Sequence, residues 1–213
     1  ILVRQGVLSV EAVTSAFSWV YLIVVIAFFT WLFMAGQWTK EERKRLIVIV
    51  VLFAGAAVFW SAFEQAASTL NLFAAQNTRN SILGWTFPSS WFQSVNALMI
   101  IIFAPVFAWI WISLGKRDPS SPAKFAFGLV SVGLGFVVMV GAAQASANGV
   151  LVSPMWLVLT YLLHTIGELS LSPVGLSSMT KLAPVRIAGL MMGVWYLGSS
   201  VGNYIAGQLA GFY

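Results

Sequence analysis

Residues 91–114 read WFQSVNALMIIIFAPVFAWIWISL, and residues 115–122 continue as GKRDPSSP. The first segment contains no charged side chain, and a helix of about 20 residues, rising 1.5 Å per residue, crosses the roughly 30 Å hydrocarbon layer of a membrane. The second segment is basic and carries two prolines, which end helices. Together they predict one transmembrane helix followed by a loop in water.

The same alternation recurs along the chain. Of its 213 residues, 60% are hydrophobic and 8% are charged, whereas soluble domains average about 45–50% and 25%. The apolar runs are too long for the roughly 10-residue alternating strands of a membrane barrel. We therefore predict an all-α polytopic membrane bundle with transmembrane helices at about 12–36, 46–71, 91–114, 124–145, 155–180 and 186–211.

Lysine and arginine are concentrated in every second loop between the predicted helices. Nine of the eleven lie in residues 37–45, 115–124 and 181–186, and the others are Arg4 and Arg79. Loops rich in lysine and arginine face the cytoplasm. The net charge of +5 therefore reflects membrane topology, and we expect no nucleic-acid partner.

Cysteine is absent, so disulfides and thiolate metal sites are excluded, and we expect no metal and no cofactor. The sequence opens at Ile1 without methionine and ends at Tyr213 directly after an apolar run. We expect both ends to be internal boundaries of a longer protein.

Two carboxylates fall inside predicted membrane helices, Glu64 and Glu168. A charge at the bilayer centre costs from about 3 to more than 10 kcal/mol, so such residues are rare and usually functional. Every lysine and arginine lies in a loop or at a helix end. Either these carboxyls are often protonated, as suits a proton carrier, or their cationic partners lie on another segment. The alternative is a carboxylate hydrogen-bonded to helix backbone in a packed core.

Polar and aromatic side chains recur at helical spacing around the two carboxylates. The stripes are His164, Glu168 and Ser172 on the fifth helix, Trp60 and Glu64 on the second, Trp195, Ser199 and Asn203 on the sixth, with Gln93 and Asn96 on the third. We expect them to line a wet cavity suited to a small zwitterion with a free amine. A lone histidine such as His164 is more often a packing residue than a proton relay, and it lacks a second metal ligand.

Glycine and proline are placed for packing and bending. The sixth helix carries small-xxx-small pairs, which predict close helix approach, at Gly189, Gly193, Gly198, Gly202, Gly207 and Gly211. Pro105 and Pro173 lie inside the third and fifth helices, where we expect bends.

Several blocks resemble the proton-coupled oligopeptide transporter (POT) family of the major facilitator superfamily. They are WSAFEQ at 60–65, FQSVN at 92–96, FAPVFA at 103–108, GELSLSPVGLS at 167–177, TKLAP at 180–184 and GLMMGVW at 189–195. The resemblance implies that residues 1–40 hold an extra transmembrane helix linking two six-helix halves. Residues 41–213 would then be helices seven to eleven of the carboxy-terminal half, with the twelfth missing.

The resemblance also implies site residues. A substrate pocket would include Trp60, Asn96, Glu168, Ser172, Trp195 and Ser199. Glu168 resembles the carboxylate that meets the peptide amino group and pairs with a lysine on the fourth helix, and Asn96 the amide that helps bind that amino group. Glu64 resembles the outer-gate carboxylate that pairs with an arginine on the first helix. Both Glu64 and Glu168 would take part in proton coupling, and their basic partners would lie in the missing amino-terminal half.

The expected function is proton-coupled symport of di- and tripeptides across the bacterial inner membrane, by alternating access and without enzymatic activity. The alternative is a major-facilitator transporter of another small solute, such as nitrate, an amino-acid derivative or a drug, although a carboxylate in the pocket argues against nitrate. A hydrolase using Ser170 or Ser172 with His164 lacks a glycine-flanked nucleophile turn and a second catalytic group. A purely structural membrane subunit is a third possibility.

Overall fold

The computed structural model describes residues 10–212, and side chains from residue 16 onward. Seven helices lie in that range: α1 Val10–Ala35, α2 Lys40–Phe63, α3 Thr69–Gln76, α4 Phe92–Leu114, α5 Ser121–Ser146, α6 Met155–Leu182 and α7 Leu190–Ala210. Between α3 and α4, β1 (Ser81–Ile82) and β2 (Trp85–Thr86) form an antiparallel hairpin. The predicted helical architecture is confirmed.

Five stretches within residues 10–212 are long and apolar enough to cross a membrane. They are Ala16–Ala35, Lys40–Gln76, Ser89–Arg117, Ser121–Ser146 and Met155–Leu182. Helix α7 forms where the sixth helix was predicted, but its second half carries Ser199, Ser200, Asn203 and Gln208 and is more polar. The architecture is that of a multi-pass membrane protein.

The chain forms two compact units, one ending at Ile47 and the other beginning at Val48. In the first unit, a reciprocal cap defines the start of α2. The Thr39 amide donates to Glu42 Oε2 at 2.8 Å, and the Glu42 amide donates to Thr39 Oγ1 at 3.2 Å. Such a capping box satisfies backbone donors that the first helical turn leaves without partners, which explains why α2 begins at Lys40.

In the second unit, the predicted helix at 46–71 is interrupted. Helix α2 ends at Phe63, Glu64–Ala66 form a single 3-10 turn, and α3 begins at Thr69. The predicted membrane helix is present within the apolar stretch Lys40–Gln76, and the structure adds this change of helix type, which the sequence did not predict. Polar side chains near the break, above all Gln65, supply hydrogen bonds that an apolar helix could not.

The backbones of α5 and α6 touch through glycines. A Cβ atom added to Gly128 would lie 2.6 Å from Leu171 Cβ and 2.8 Å from the Gly167 carbonyl oxygen. A Cβ atom on Gly167 would lie 2.8 Å from the Gly128 carbonyl oxygen. Small residues allow such close approach in membranes, where helices associate by packing and hydrogen bonding.

Helix α7 packs on α2 in the same way. A Cβ atom on Gly202 would lie 2.6 Å from Trp60 Cβ and 2.7 Å from the Ala57 carbonyl oxygen. Gly198 contacts Phe53 of α2. The predicted close approach is confirmed at these two glycines, whereas Gly189, Gly193 and Gly207 have no atom within 4 Å of an added Cβ.

An apolar cluster joins α3 to the ends of α4, α5 and α6. Its buried members are Leu70, Phe73, Ala74, Phe92, Met139, Ala142, Val152, Leu157 and Tyr161. The backbone of Val152 pairs with the loop after α3, donating to the Asn77 carbonyl at 2.8 Å and accepting from the Arg79 amide at 2.9 Å. These contacts hold α3 against α6, and Ala66 of the turn between α2 and α3 packs against the same cluster.

Gly128→Ala should destabilise the protein by about 1–3 kcal/mol, because the new methyl group overpacks the α5–α6 contact. Gly133→Ala on the same helix is the matched control, since nothing lies within 4 Å of its added Cβ. Thermal unfolding in detergent, followed by tryptophan fluorescence, should show a lower midpoint for Gly128→Ala alone. Equal midpoints for the two variants would contradict the backbone contact.

Candidate functional site

Asn96 of α4 joins two side chains of α6. Its Nδ2 donates to Glu168 Oε2 at 3.2 Å and to Thr165 Oγ1 at 3.0 Å. The Thr165 hydroxyl in turn donates to the Tyr161 carbonyl at 2.8 Å. Both amide hydrogens of Asn96 are therefore used, and one oxygen of Glu168 is held in a defined place.

The second oxygen of Glu168 has no hydrogen-bonding partner in the described part of the chain. Neither Glu64 nor Glu168 forms an ion pair with any residue of that part. Ion pairs are found near helix ends, as between Lys124 Nζ and Asp118 Oδ2 at 2.7 Å. Within residues 10–212, neither intramembrane carboxylate has an ion-pair partner, as the sequence predicts for these residues.

Glu64 lies in the 3-10 turn, which the neighbouring residue Gln65 holds in place. Gln65 Nε2 donates to the carbonyl oxygens of Ser61, at 3.2 Å, and of Ala206 on α7, at 3.1 Å. Gln65 Oε1 accepts from the hydroxyls of Ser68, at 3.3 Å, and Thr69, at 2.7 Å. One amide thus bridges the end of α2, the start of α3 and α7.

A cavity of about 140 Å³ lies where this turn meets α4 and α6. We call it the polar cavity, and it is lined by Phe63, Glu64, Ala66, Ala67, Gln93, Asn96, Tyr161 and His164. Glu168 is not one of the lining residues, but it is hydrogen-bonded to Asn96, which is one of them. Another cavity, of about 410 Å³ beside the hairpin, has a mainly aromatic and aliphatic lining that includes Trp85 and Trp91.

His164 is only 1% exposed and packs among aromatic rings. Its ring centroid lies 5.4 Å from that of Phe136, 6.0 Å from that of Phe63 and 6.5 Å from that of Tyr161. Neither ring nitrogen is hydrogen-bonded, and Ser170 Oγ instead donates to the Ile166 carbonyl at 2.8 Å. The structure therefore does not form a serine–histidine pair.

The other predicted pocket residues occupy separate positions. Trp60 packs edge-on against Phe63, with centroids 5.2 Å apart, and is not one of the residues that line the polar cavity. Trp195 is 3% exposed, and its ring lies against Gly175 of α6. Ser172 and Ser199 are half-buried, and no hydrogen bond among the described residues joins them to the rest of the set. Their assignment to a pocket, like that of Trp60 and Trp195, stays a prediction.

Three residues of the site were not singled out from the sequence. Tyr161 and Thr165 precede Glu168 by seven and three residues, so they extend the stripe already recognised on α6. Helical spacing alone would have identified both residues. Gln65 follows Glu64 directly, and its contacts depend on the helix break, which the apolar pattern does not reveal.

Comparison with known proteins gives a consistent result. The family model described as PTR2, POT family, matches residues 8–213. "Peptide transporter YePEPT" of Yersinia enterocolitica is 46% identical over 99% of this chain and 42% of its own length. A "Di-/tripeptide transporter" of Lactococcus lactis is 35% identical over 88% of this chain and 39% of its own. The chain thus spans less than half the length of these relatives.

A solved structure shows the same arrangement of helices. It is a crystal structure of a mutant of the peptide transporter POT in complex with alafosfalin. It matches with a TM-score of 0.91 and 40% sequence identity, over 100% of this chain and 44% of that chain. The fold described above is therefore that of one part of a larger transporter fold.

Gln65→Leu should destabilise the protein by about 1–3 kcal/mol, because it leaves the buried Ala206 carbonyl and the partly buried hydroxyls of Ser68 and Thr69 without their partner. Gln208→Leu makes the same chemical change at an exposed position of α7 and is the control. The midpoint of thermal unfolding in detergent should fall for Gln65→Leu only. A stable Gln65→Leu variant would show that the break does not depend on this amide.

Proposed function

The chain belongs to the POT family, and on this premise we propose that it is part of a proton-coupled symporter of di- and tripeptides in the bacterial inner membrane. It spans 42% of its relative from Yersinia, so the activity is that of the complete protein. In this proposal residues 1–40 hold an extra linking helix, and residues 41–213 supply helices seven to eleven. The missing amino-terminal six-helix half supplies the rest of the site.

The observation that carries the proposal is the Asn96–Glu168 pair. Asn96 holds Glu168 Oε2, and Oε1 has no partner among the described residues. A peptide presents a protonated amine at one end, and charge-assisted hydrogen bonds to a carboxylate are among the strong ones. Glu168 would therefore bind the amino terminus of the peptide, with Asn96 as its positioning and binding partner.

The proposed coupling to protons is supported by the lack of an ion-pair partner for either carboxylate among residues 10–212. In an alternating-access cycle, two helical halves rock about a site near the middle of the membrane. Glu64 and Glu168 would form ion pairs with basic residues of the other half, and protonation would weaken those pairs and permit the switch. Trp60, Ser172, Trp195 and Ser199 complete the proposed pocket.

A transporter for another solute would bind different chemistry at the same place. An anion such as nitrate would be repelled by a carboxylate whose free oxygen faces it. Competition of labelled dialanine uptake by unlabelled peptides, amino-acid derivatives and nitrate separates these substrates. Only peptides should compete if the proposal is correct.

Glu168→Gln in the complete transporter should abolish proton-driven dipeptide uptake, because an amide can neither carry the proton nor pair as an anion with the peptide amine. Glu41→Gln makes the same change at an exposed surface pair and should transport normally. Uptake is measured in proteoliposomes with an inward proton gradient. Normal concentrative uptake by Glu168→Gln would refute its part in coupling.

Asn96→Ala should raise the KM for dipeptide roughly ten- to a hundred-fold, since a hydrogen bond to a charged group contributes about 1.5–3 kcal/mol. Asn148→Ala removes an exposed amide from the loop between α5 and α6 and is the control. Initial rates across a range of dipeptide concentrations give both constants. A KM unchanged in Asn96→Ala would show that the pair does not contribute to peptide binding.

A further inference from the structure

A cavity of about 280 Å³ lies between α2, the start of α5 and the end of α6. Its lining includes residues from two basic stretches of the sequence to which the proposed transport site gives no part, residues 115–124 and 181–186. Loops rich in lysine and arginine face the cytoplasm. The cavity therefore lies at the cytoplasmic boundary of the membrane, and we call it the cytoplasmic cavity.

The polar part of the cytoplasmic cavity can donate hydrogen bonds and carries positive charge. It consists of Lys181 and Ser178 of α6 and Ser121, the first residue of α5. Within residues 10–212, none of these three side chains has an ion-pair or hydrogen-bonding partner. No acidic side chain is among the lining residues. A lysine with two hydroxyls matches the charge and the acceptor oxygens of a phosphate group.

The rest of the lining is apolar and includes Val48 and Leu52 of α2 and Phe125 of α5. These residues belong to Lys40–Gln76 and Ser121–Ser146, two of the stretches long and apolar enough to cross a membrane. An inorganic anion would leave this apolar wall without a partner, whereas a hydrocarbon chain would cover it and remove it from water. The lining therefore suits a ligand with an anionic end and an apolar end.

The volume of the cytoplasmic cavity limits how much of such a ligand it can hold. About 280 Å³ is close to the lower end of the range of roughly 300–1,000 Å³ for small-molecule sites. A headgroup and the beginning of one acyl chain fit this space, and the rest of the lipid would remain in the bilayer. Anionic phospholipids of the cytoplasmic leaflet attract basic groups at this boundary, and basic pockets between helices bind their headgroups.

Phe125 makes this place a junction of three helices. A Cβ atom added to Gly55 of α2 would lie 2.6 Å from the Phe125 ring, and one added to Gly175 of α6 would lie 3.0 Å from it. A ligand that touches Phe125, α2 and Lys181 at once would therefore contact all three helices near their cytoplasmic ends.

We propose that the cytoplasmic cavity binds one anionic phospholipid. Its phosphate is held by Lys181, Ser178 and Ser121, and the beginning of an acyl chain lies against the apolar residues of α2 and α5. The proposal goes beyond peptide transport. It is tested as binding, so its outcome does not depend on whether the complete protein transports peptides.

Two lysine variants of the complete transporter separate a specific site from general attraction to a basic surface. Lys181→Gln removes the charge of the cavity, and Lys116→Gln removes one charge from an exposed position of the loop before α5 that does not line the cavity. Each protein is titrated with phosphatidylglycerol in a neutral detergent, and bound lipids are counted by native mass spectrometry.

We expect Lys181→Gln to raise the Kd of the first bound phosphatidylglycerol about ten-fold, equivalent to about 1.4 kcal/mol, and Lys116→Gln to raise it less than two-fold. Equal effects of the two substitutions would indicate general electrostatic attraction. An unchanged Kd in both variants would show that something other than this lipid occupies the cavity. Either result would overturn the inference.

A second pair of variants keeps the test decisive if Lys181→Gln does not fold. Ser178→Ala removes one hydroxyl of the cavity, and Ser177→Ala makes the same change at the preceding residue, which does not line it. The Kd of the first phosphatidylglycerol should rise about three-fold for Ser178→Ala only, because one hydrogen bond to the phosphate is lost. Equal Kd values would contradict the site.

Two further ligands identify the source of the phosphate. Phosphatidylcholine carries a phosphate but no net charge, and it should bind the wild-type protein at least about ten-fold more weakly than phosphatidylglycerol. Inorganic phosphate lacks the acyl chain, so it should not displace phosphatidylglycerol at a similar concentration. Displacement by inorganic phosphate would show that the site takes a free anion, and it would overturn the assignment to a lipid.

Discussion

The hydrogen bonds of Gln65 are the interaction on which the candidate site depends. A helix that stops inside a membrane exposes backbone groups that lipid cannot satisfy. Here the side-chain amide of Gln65 accepts from two hydroxyls and donates to two carbonyls, one of them Ala206 on α7. The interruption of α2 is thereby stabilised by protein groups, and Glu64, the residue next to Gln65, begins the 3-10 turn. The polar cavity forms at this interruption.

The α5–α6 contact has the complementary effect of fixing how α6 is rotated. Gly128 and Gly167 bring the two backbones together, and Gly135 receives the ring of His164. Thr165 and Glu168 directly follow His164 and Gly167, so they lie about 100° further round the helix axis, where they meet Asn96 of α4. The packing of glycines between α5 and α6 therefore sets the positions of Thr165 and Glu168.

The two carboxylates without ion-pair partners among the described residues indicate that the site is incomplete. Two carboxylates lie in membrane-spanning stretches, and no cation of the described residues pairs with either. Such groups in a membrane face a water-filled cavity or pair with another charge. The chain covers 42–44% of the relative from Yersinia and of the transporter crystal structure described above. We expect the counter-charges in the part of the protein that this chain does not include.

The sequence by itself determined the membrane class, the places of the long helices, the two carboxylates without cations and the family. These are properties of residue type and order along the chain: run length, charge distribution and local motifs. The assignment of residues 1–40 and 41–213 to separate domains remains a prediction, as do the pocket residues beyond the Asn96–Glu168 contact.

Only the tertiary structure decided that α2 breaks at Glu64, that Asn96 reaches Glu168 across 72 residues of sequence, and that Trp195 lies against Gly175. Hydropathy could not show these features, because an apolar helix looks the same whichever face it turns to its neighbour. The choice of face comes from glycine contacts and side-chain hydrogen bonds between helices distant in sequence. Those contacts exist only once the helices have packed.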